Sequence, residues 1–218
     1  MENALQHFRR ARLDQAADAL RRNNFQARVT DTAEEARQVV LSTIIPSLDP
    51  APRIVSWGGS MSLAATGLMD DLRGSDMEAI NGFDKSLPYE ENIERRRQAL
   101  LSDLYFTGTN AVTEAGQLVN LDMIGNRVAA MTFGPRHVVV VAGYNKLTPT
   151  LDEAMCRTKD LAAPPNAMRL DKKTPCVKTA RCEDCSSPDR ICNMWTIHEK
   201  CFPKGRIHVV LVNQDLGL

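Results

Sequence analysis

Apolar positions in the first third of the chain recur at helical spacing and then give way to short strand-like runs. Leu5, Phe8, Leu13, Ala16, Ala17 and Leu20 fall three to five residues apart, which predicts a helix over 3–22. Residues 25–30 (FQARVT) predict a short strand. Thr32 with Glu35 three residues on resembles a capping box, opening a helix over 33–45 that Pro46 stops. A strand over 53–57 runs directly into Gly58-Gly59-Ser60, followed by a helix over 61–72. A strand at 78–80, a charged helix over 88–101 and a strand over 103–107 come next. Strands alternating with helices in this way predict a parallel α/β sheet.

The second half is richer in strands. Alternation over 117–122 predicts one, and residues 127–132 fit either a strand or a short helix. The continuous valines of 137–142 predict a strand buried on both faces. A helix over 150–161 and closing strands at 194–198 and 206–212 complete the pattern. The fold class expected is α/β: an open, parallel or mostly parallel sheet with helices on both faces, plus a cysteine-rich C-terminal loop. One domain, 1–218, is expected, with the cysteine-rich insert at about 164–193 flanked by Pro164-Pro165.

Charge and composition narrow the function classes. Lys and Arg number 27, as do Asp and Glu, so no global field recruits nucleic acid or an acidic membrane. No apolar run is long enough to span a bilayer, and the N-terminal stretch has no apolar core like that of a secretory signal. A cytoplasmic protein is expected. In that reducing compartment clustered cysteines point to metal rather than to disulfides.

Five of the six cysteines lie between 176 and 201, in a polar segment with little apolar content to fold around. Cys176, Cys182, Cys185 and Cys192 are spaced C-x5-C-x2-C-x6-C and supply the four thiolates that zinc or an iron–sulfur cluster takes. An iron–sulfur cluster, of the four-iron type, is the expected cofactor, with zinc as the alternative. Lys178, Arg181 and Arg190 lie among the thiols to offset their charge.

Two strand ends carry glycine and hydroxyl residues suited to a small anionic ligand: Gly58, Gly59 and Ser60, then Thr107, Gly108, Thr109 and Asn110. Lys146 follows the valine strand and offers a cation to a phosphate or carboxylate. Glu114 is the candidate catalytic residue, as acid, base or carboxylate nucleophile. No G-x-S-x-G, Walker A or G-x-G-x-x-G sequence occurs.

The blocks WGGSMSL, LYFTGTNAVTEAGQLVNLDMIGNRVAAMTFGPRHVVVVAGYNKL, TPCVKTARCEDCSSPDRICN and GRIHVVLVNQDLGL resemble the LUD-domain family of lactate-utilisation proteins. The resemblance covers about residues 5–218. It implies a fold like that of ribose-phosphate isomerases, glucosamine-phosphate deaminases and CoA-transferases. It implies conversion of lactate to pyruvate beside iron–sulfur partner subunits. It also implies that Gly58-Gly59-Ser60 and Thr107-Gly108-Thr109 line the ligand cleft. Glu114 falls near the nucleophilic Glu of CoA-transferases, but Thr113-Glu114-Ala115-Gly116 departs from their fuller motif. The alternatives are a non-redox transferase or isomerase acting on an acyl thioester or sugar phosphate, and a structural zinc-binding assembly subunit.

Overall fold

The computed structural model describes residues 2–218. Helix α1 (Glu2–Arg22) buries Leu13, Ala16, Ala17 and Leu20, the helical-spacing stripe that defines its inner face. Leu5 and Phe8 belong to the same stripe by spacing but stay exposed. Strand β1 (Gln26–Thr30) follows, then α2 (Ala33–Val39). Thr32 Oγ1 accepts from Glu35 N at 3.0 Å, and Glu35 Oε2 accepts from Asp31 N at 2.8 Å, so the capping box closes one residue earlier than expected. The helix continues only as a π-helical turn over 40–44 before Pro46.

Strands β2 (Ile54–Trp57), β3 (Glu78–Ile80) and β4 (Leu104–Gly108) enter one sheet. Between β2 and β3 the expected helix over 61–72 is two pieces, α3 (Met61–Ala64) and α4 (Leu68–Arg73). Gly67, at φ +75°, breaks it, a left-handed conformation that glycine adopts without penalty. Helix α5 (Tyr89–Gln98) precedes β4. After β4 the chain forms β5 (Ala111–Thr113) and β6 (Leu118–Asp122), then α6 (Asn126–Thr132), which resolves the strand-or-helix choice at 127–132. Strand β7 (His137–Gly143), β8 (Leu147–Thr148), α7 (Leu151–Arg157) and α8 (Ala163–Arg169) follow. Helix α9 (Cys176–Thr179) lies in the cysteine-rich stretch, and β9 (Met194–His198) and β10 (Ile207–Val212) close the chain.

The main sheet has six strands in the order β1-β10-β7-β4-β2-β3, and each neighbouring pair is parallel. Alternation divides the valine strand between two cores. Val138, Val140 and Ala142 join α1 and α6 on one face, while Val139 and Val141 join α2, α3 and α4 on the other. Both faces are therefore covered by helices, which is why β7 reads as unbroken apolar sequence. Each fully buried valine contributes about 1.5–3 kcal/mol relative to exposure. A second sheet, β8-β5-β6-β9, contains antiparallel pairs and stands on the first core through Val112 and Leu118. Strands β6 and β9, both predicted as strands, belong to this second sheet. Among the described residues no helix is long and apolar enough to cross a membrane.

Candidate functional site

The carboxyl ends of β2, β4 and β7 open onto a cleft of about 450 Å³. Chain direction changes here: from β2 the chain proceeds outward to β3, and from β4 it proceeds to β7 on the other side. Open parallel sheets bind ligands at such switch points. Gly59, Ser60, Gly108, Thr109, Asn110 and Lys146 line the cleft. Gly58 and Thr107, expected beside them, are buried and lie outside its lining. Gly58 N donates to Phe106 O at 2.8 Å, so that residue extends the sheet instead. A side chain at Gly108 would collide with Ser60 Oγ, so glycine there lets the two loops meet.

Several polar groups in this constellation serve the fold. Thr109 Oγ1 donates to the carbonyls of Ala111 or Val119, both at 3.1 Å. Asn110 Oδ1 accepts from Leu121 N at 3.0 Å and from Arg127 Nη2 at 2.8 Å. Its carbonyl accepts from Arg157 Nη1 at 2.7 Å. Helix α3, four residues long, brings little dipole to the Gly59 turn, and Ser60 Oγ is occupied as its N-cap, accepting from Leu63 N at 3.2 Å.

Cationic side chains dominate the electrostatics. Arg96, Arg127, Lys146, Arg169 and Lys172 line the cleft; Asp122 is the side-chain carboxylate among its described lining residues, which also include Leu218, the last residue of the sequence. Asp122 Oδ1 is engaged by Arg127 Nε at 2.8 Å. Lys146 is buried, and its Nζ donates to Thr109 O at 2.9 Å, leaving the rest of its donors for a ligand. Burial pushes its pKa down to about 7, and the nearby Arg157 and Arg127 push in the same direction. Arg157 sits behind it with backbone carbonyls of Asn145 and Asn110 as partners, and burial lowers its pKa also. A small anion in the cleft would relieve this concentration of positive charge.

Arg96 and the α8 face were not legible beforehand. Pro164-Pro165 predicts a loop, yet the two prolines occupy the first turn of α8, where no intrahelical N–H is required of them. Helical spacing then turns Ala163, Asn166, Arg169 and Leu170 toward the cleft. Reading 163–169 as helix would have brought these positions together.

Glu114 lies outside the cleft lining. Its Oε1 accepts from Arg12 Nε of α1 at 2.9 Å, and Arg12 Nη1 donates to Tyr144 Oη at 3.0 Å. This half-exposed pair ties α1 to the end of β5. Glu114→Gln is expected to lower stability by about 1 kcal/mol or less in chemical denaturation and to leave ligand binding unchanged. Loss of binding with unchanged stability would instead assign the carboxylate a role at the ligand.

Cys176, Cys182, Cys185 and Cys192 line one small recess with Lys159, Thr174, Asp184 and Arg190. Lys159 Nζ and Arg190 Nη2 both reach Asp184 Oδ1, at 2.8 and 2.7 Å. Arg190 also donates to the carbonyls of Cys185 and Cys192, which draws the loop closed. Thr174 Oγ1 and Cys176 Sγ are 3.2 Å apart. Burial raises the Cys192 thiol pKa; the Lys159 and Arg190 charges lower it, and Cys182 and Cys176 raise it. The donor set fits a thiolate-bound metal group with cations beside it. Among the described residues no three His, Cys, Asp or Glu side chains converge tightly enough to grip a single ion. Cys156 is exposed on α7, and Cys201 is buried in the main core with its thiol on Pro203 O at 3.2 Å, so neither joins the recess. Cys192, Ile191 and Ala163 line both recess and cleft, so the two share a wall.

Comparison with known proteins gives a family and remote structural likenesses. No curated protein matches the sequence. A DUF162 family protein from Deinococcus radiodurans aligns over 94% of this chain and 97% of its own, at 16% identity and a TM-score of 0.47. A D-ribose-5-phosphate isomerase in complex with phospho-erythronic acid aligns over 64% of each chain, at 19% identity and a TM-score of 0.33. The model of the LUD domain matches residues 13–212, nearly the whole chain, and the protein therefore belongs to the LUD-domain family.

Proposed function

We propose that the protein acts in organic-acid oxidation, with lactate and pyruvate as the ligand pair, binding the acid in the strand-end cleft beside a thiolate-held iron–sulfur cluster. Membership of the LUD-domain family supports the substrate class. The observation that carries the reading is the shared wall: Cys192 lines the cysteine recess and the anion cleft alike. Cys176, Cys182, Cys185 and Cys192 would hold the cluster, which when bound supplies electron transfer. Cys176, Cys182, Cys185 and Cys192 all line the recess, and four thiolates are the set that a four-iron cluster or zinc takes. Of the chain's own groups, Lys146 would receive the carboxylate, the Arg127–Asp122 pair would fix the loop beside it, and the Gly59 and Gly108 loops would give it close approach. Glu114 is not proposed as nucleophile, because Arg12 engages it outside the cleft lining.

Gly59→Val tests the cleft. A Cβ at position 59 would stand 3.2 Å from Phe83 Cε1, so a branched side chain must displace that ring or fill the cleft. L-Lactate or pyruvate at about 100 times Kd should stabilise the wild type by about 2.7 kcal/mol in thermal unfolding, and should stabilise the variant far less. Equal stabilisation of both would put the acid elsewhere.

A further inference from the structure

The cleft is larger than a three-carbon acid requires. Its volume is about 450 Å³. Six non-hydrogen atoms displace at most about six waters, roughly 180 Å³.

Its charge is also in excess. Arg127 and Lys172 are paired with Asp122 and Asp189. Among the described residues Arg96, Lys146 and Arg169 have neutral partners instead: Gly82 O at 2.8 Å, Thr109 O at 2.9 Å and Asn166 Oδ1 at 2.7 Å. One carboxylate offsets one of the two guanidinium charges, Arg96 or Arg169, and leaves the other, with Lys146, whose pKa is about 7, partly protonated beside them. A ligand carrying several negative charges matches the site better.

A ring platform stands at one side. The Arg96 guanidinium lies 4.4 Å over the Phe83 ring, and both line the cleft with Tyr89. Phe83 and Tyr89 are 37% and 61% exposed, so this wall offers apolar area to a planar group. Arg planes and aromatic rings both stack such groups. A separate wall, from α8 and the residues after it, presents Asn166, Arg169 and Lys172. Guanidinium and ammonium groups there suit phosphoryl oxygens.

We propose that the cleft takes a ligand of the nucleoside-diphosphate class, its ring against Phe83, Tyr89 and Arg96 and its phosphoryl groups toward Lys146, Arg169 and Lys172. This rests on the anion-cleft reading above and enlarges its ligand class. Side chains, rather than a glycine-rich phosphate loop, hold the phosphoryl groups, consistent with a sequence that lacks both nucleotide fingerprints.

Calorimetric titration with ADP, adenosine, pyrophosphate and L-lactate tests it. ADP should bind about tenfold tighter than adenosine or pyrophosphate, because only ADP meets both walls. Arg169→Ala should weaken ADP and pyrophosphate by roughly fivefold or more and spare adenosine. Arg96→Ala should weaken ADP and adenosine by about threefold or more while pyrophosphate loses less. Arg96→Lys keeps the charge and should show the same loss of the ring contribution, which guards against a folding defect in the alanine variant. Pyrophosphate binding as tightly as ADP would overturn the ring site, and no ADP binding at millimolar concentration would overturn the proposal. Lactate separates the two levels. Lactate binding that Gly59→Val abolishes, without ADP binding, sinks this inference alone, whereas absence of both sinks the anion-cleft reading as well.

Discussion

Serine in place of Cys176, Cys182, Cys185 or Cys192 is expected to lower bound metal by roughly half or more in each variant. Cys156→Ser, on an exposed face of α7, is expected to change nothing. The reason is the common recess. Its four thiols line the same cavity, burial and neighbouring thiols resist ionisation of Cys192, and a metal group is what would let them all carry charge together. The same changes should loosen the segment around them. Between α8 and β9 the chain forms only the four-residue α9, and Ile191 is among its few buried apolar side chains. Limited proteolysis of the metal-depleted protein should therefore cut within 170–193 before it cuts the main sheet. Iron, sulfide and zinc assays on the five variants check the first expectation. Equal metal content in all five would remove the recess from consideration as a metal site.

Lys146→Met should produce the second large effect, in two opposite directions. Burial holds the native pKa near 7, well below the ordinary 10.5. The unfolded chain therefore binds more protons than the native one between about pH 7 and 10.5, and stability rises with pH across that window. Below about pH 7 the full cost of a buried ammonium is present. Methionine removes that cost but leaves Thr109 O without its partner, a loss of about 1 kcal/mol. A net gain of roughly 4 kcal/mol at most at pH 6 is expected, shrinking as pH rises. Anion affinity should move the other way. The wild type should bind lactate best below pH 7 and lose affinity as the amine deprotonates, while the variant should bind weakly at every pH. Denaturation and titration across pH 6–9 check both. A destabilised variant with unchanged anion affinity would make Lys146 a structural residue only.

Much of the main sheet was legible because its signals are local. The valines of β7 have no polar face, so they can only be central; Gly58-Gly59-Ser60 follows a strand and caps a helix, so it can only sit at a strand end. The capping box at Thr32 is likewise a matter of four adjacent residues. The second sheet was hidden because β5 and β8 are three and two residues long, too short for alternation to register. Its membership depends on pairings such as Asn120 with Thr196, across some seventy residues, which no local pattern encodes. The cleft was legible through glycines and Lys146 but not through Arg96, whose place among Arg95 and Arg97 gives no sign that it alone turns inward onto Phe83. Glu114 shows the converse. Its sequence neighbours suggest chemistry, yet its partner is Arg12, a residue on a helix more than a hundred positions away.

The central claim is that a thiolate-held redox centre and an anion cleft share the wall formed by Cys192, Ile191 and Ala163. Anaerobically purified protein, analysed for iron and sulfide and titrated with L-lactate while its visible and electron paramagnetic resonance spectra are recorded, tests it most directly. The account predicts about four irons and four sulfides per chain, visible absorbance, and a spectrum that shifts on adding lactate in the wild type but not in Gly59→Val. Colourless protein with stoichiometric zinc, or a cluster whose spectrum ignores lactate at saturating concentration, would contradict it.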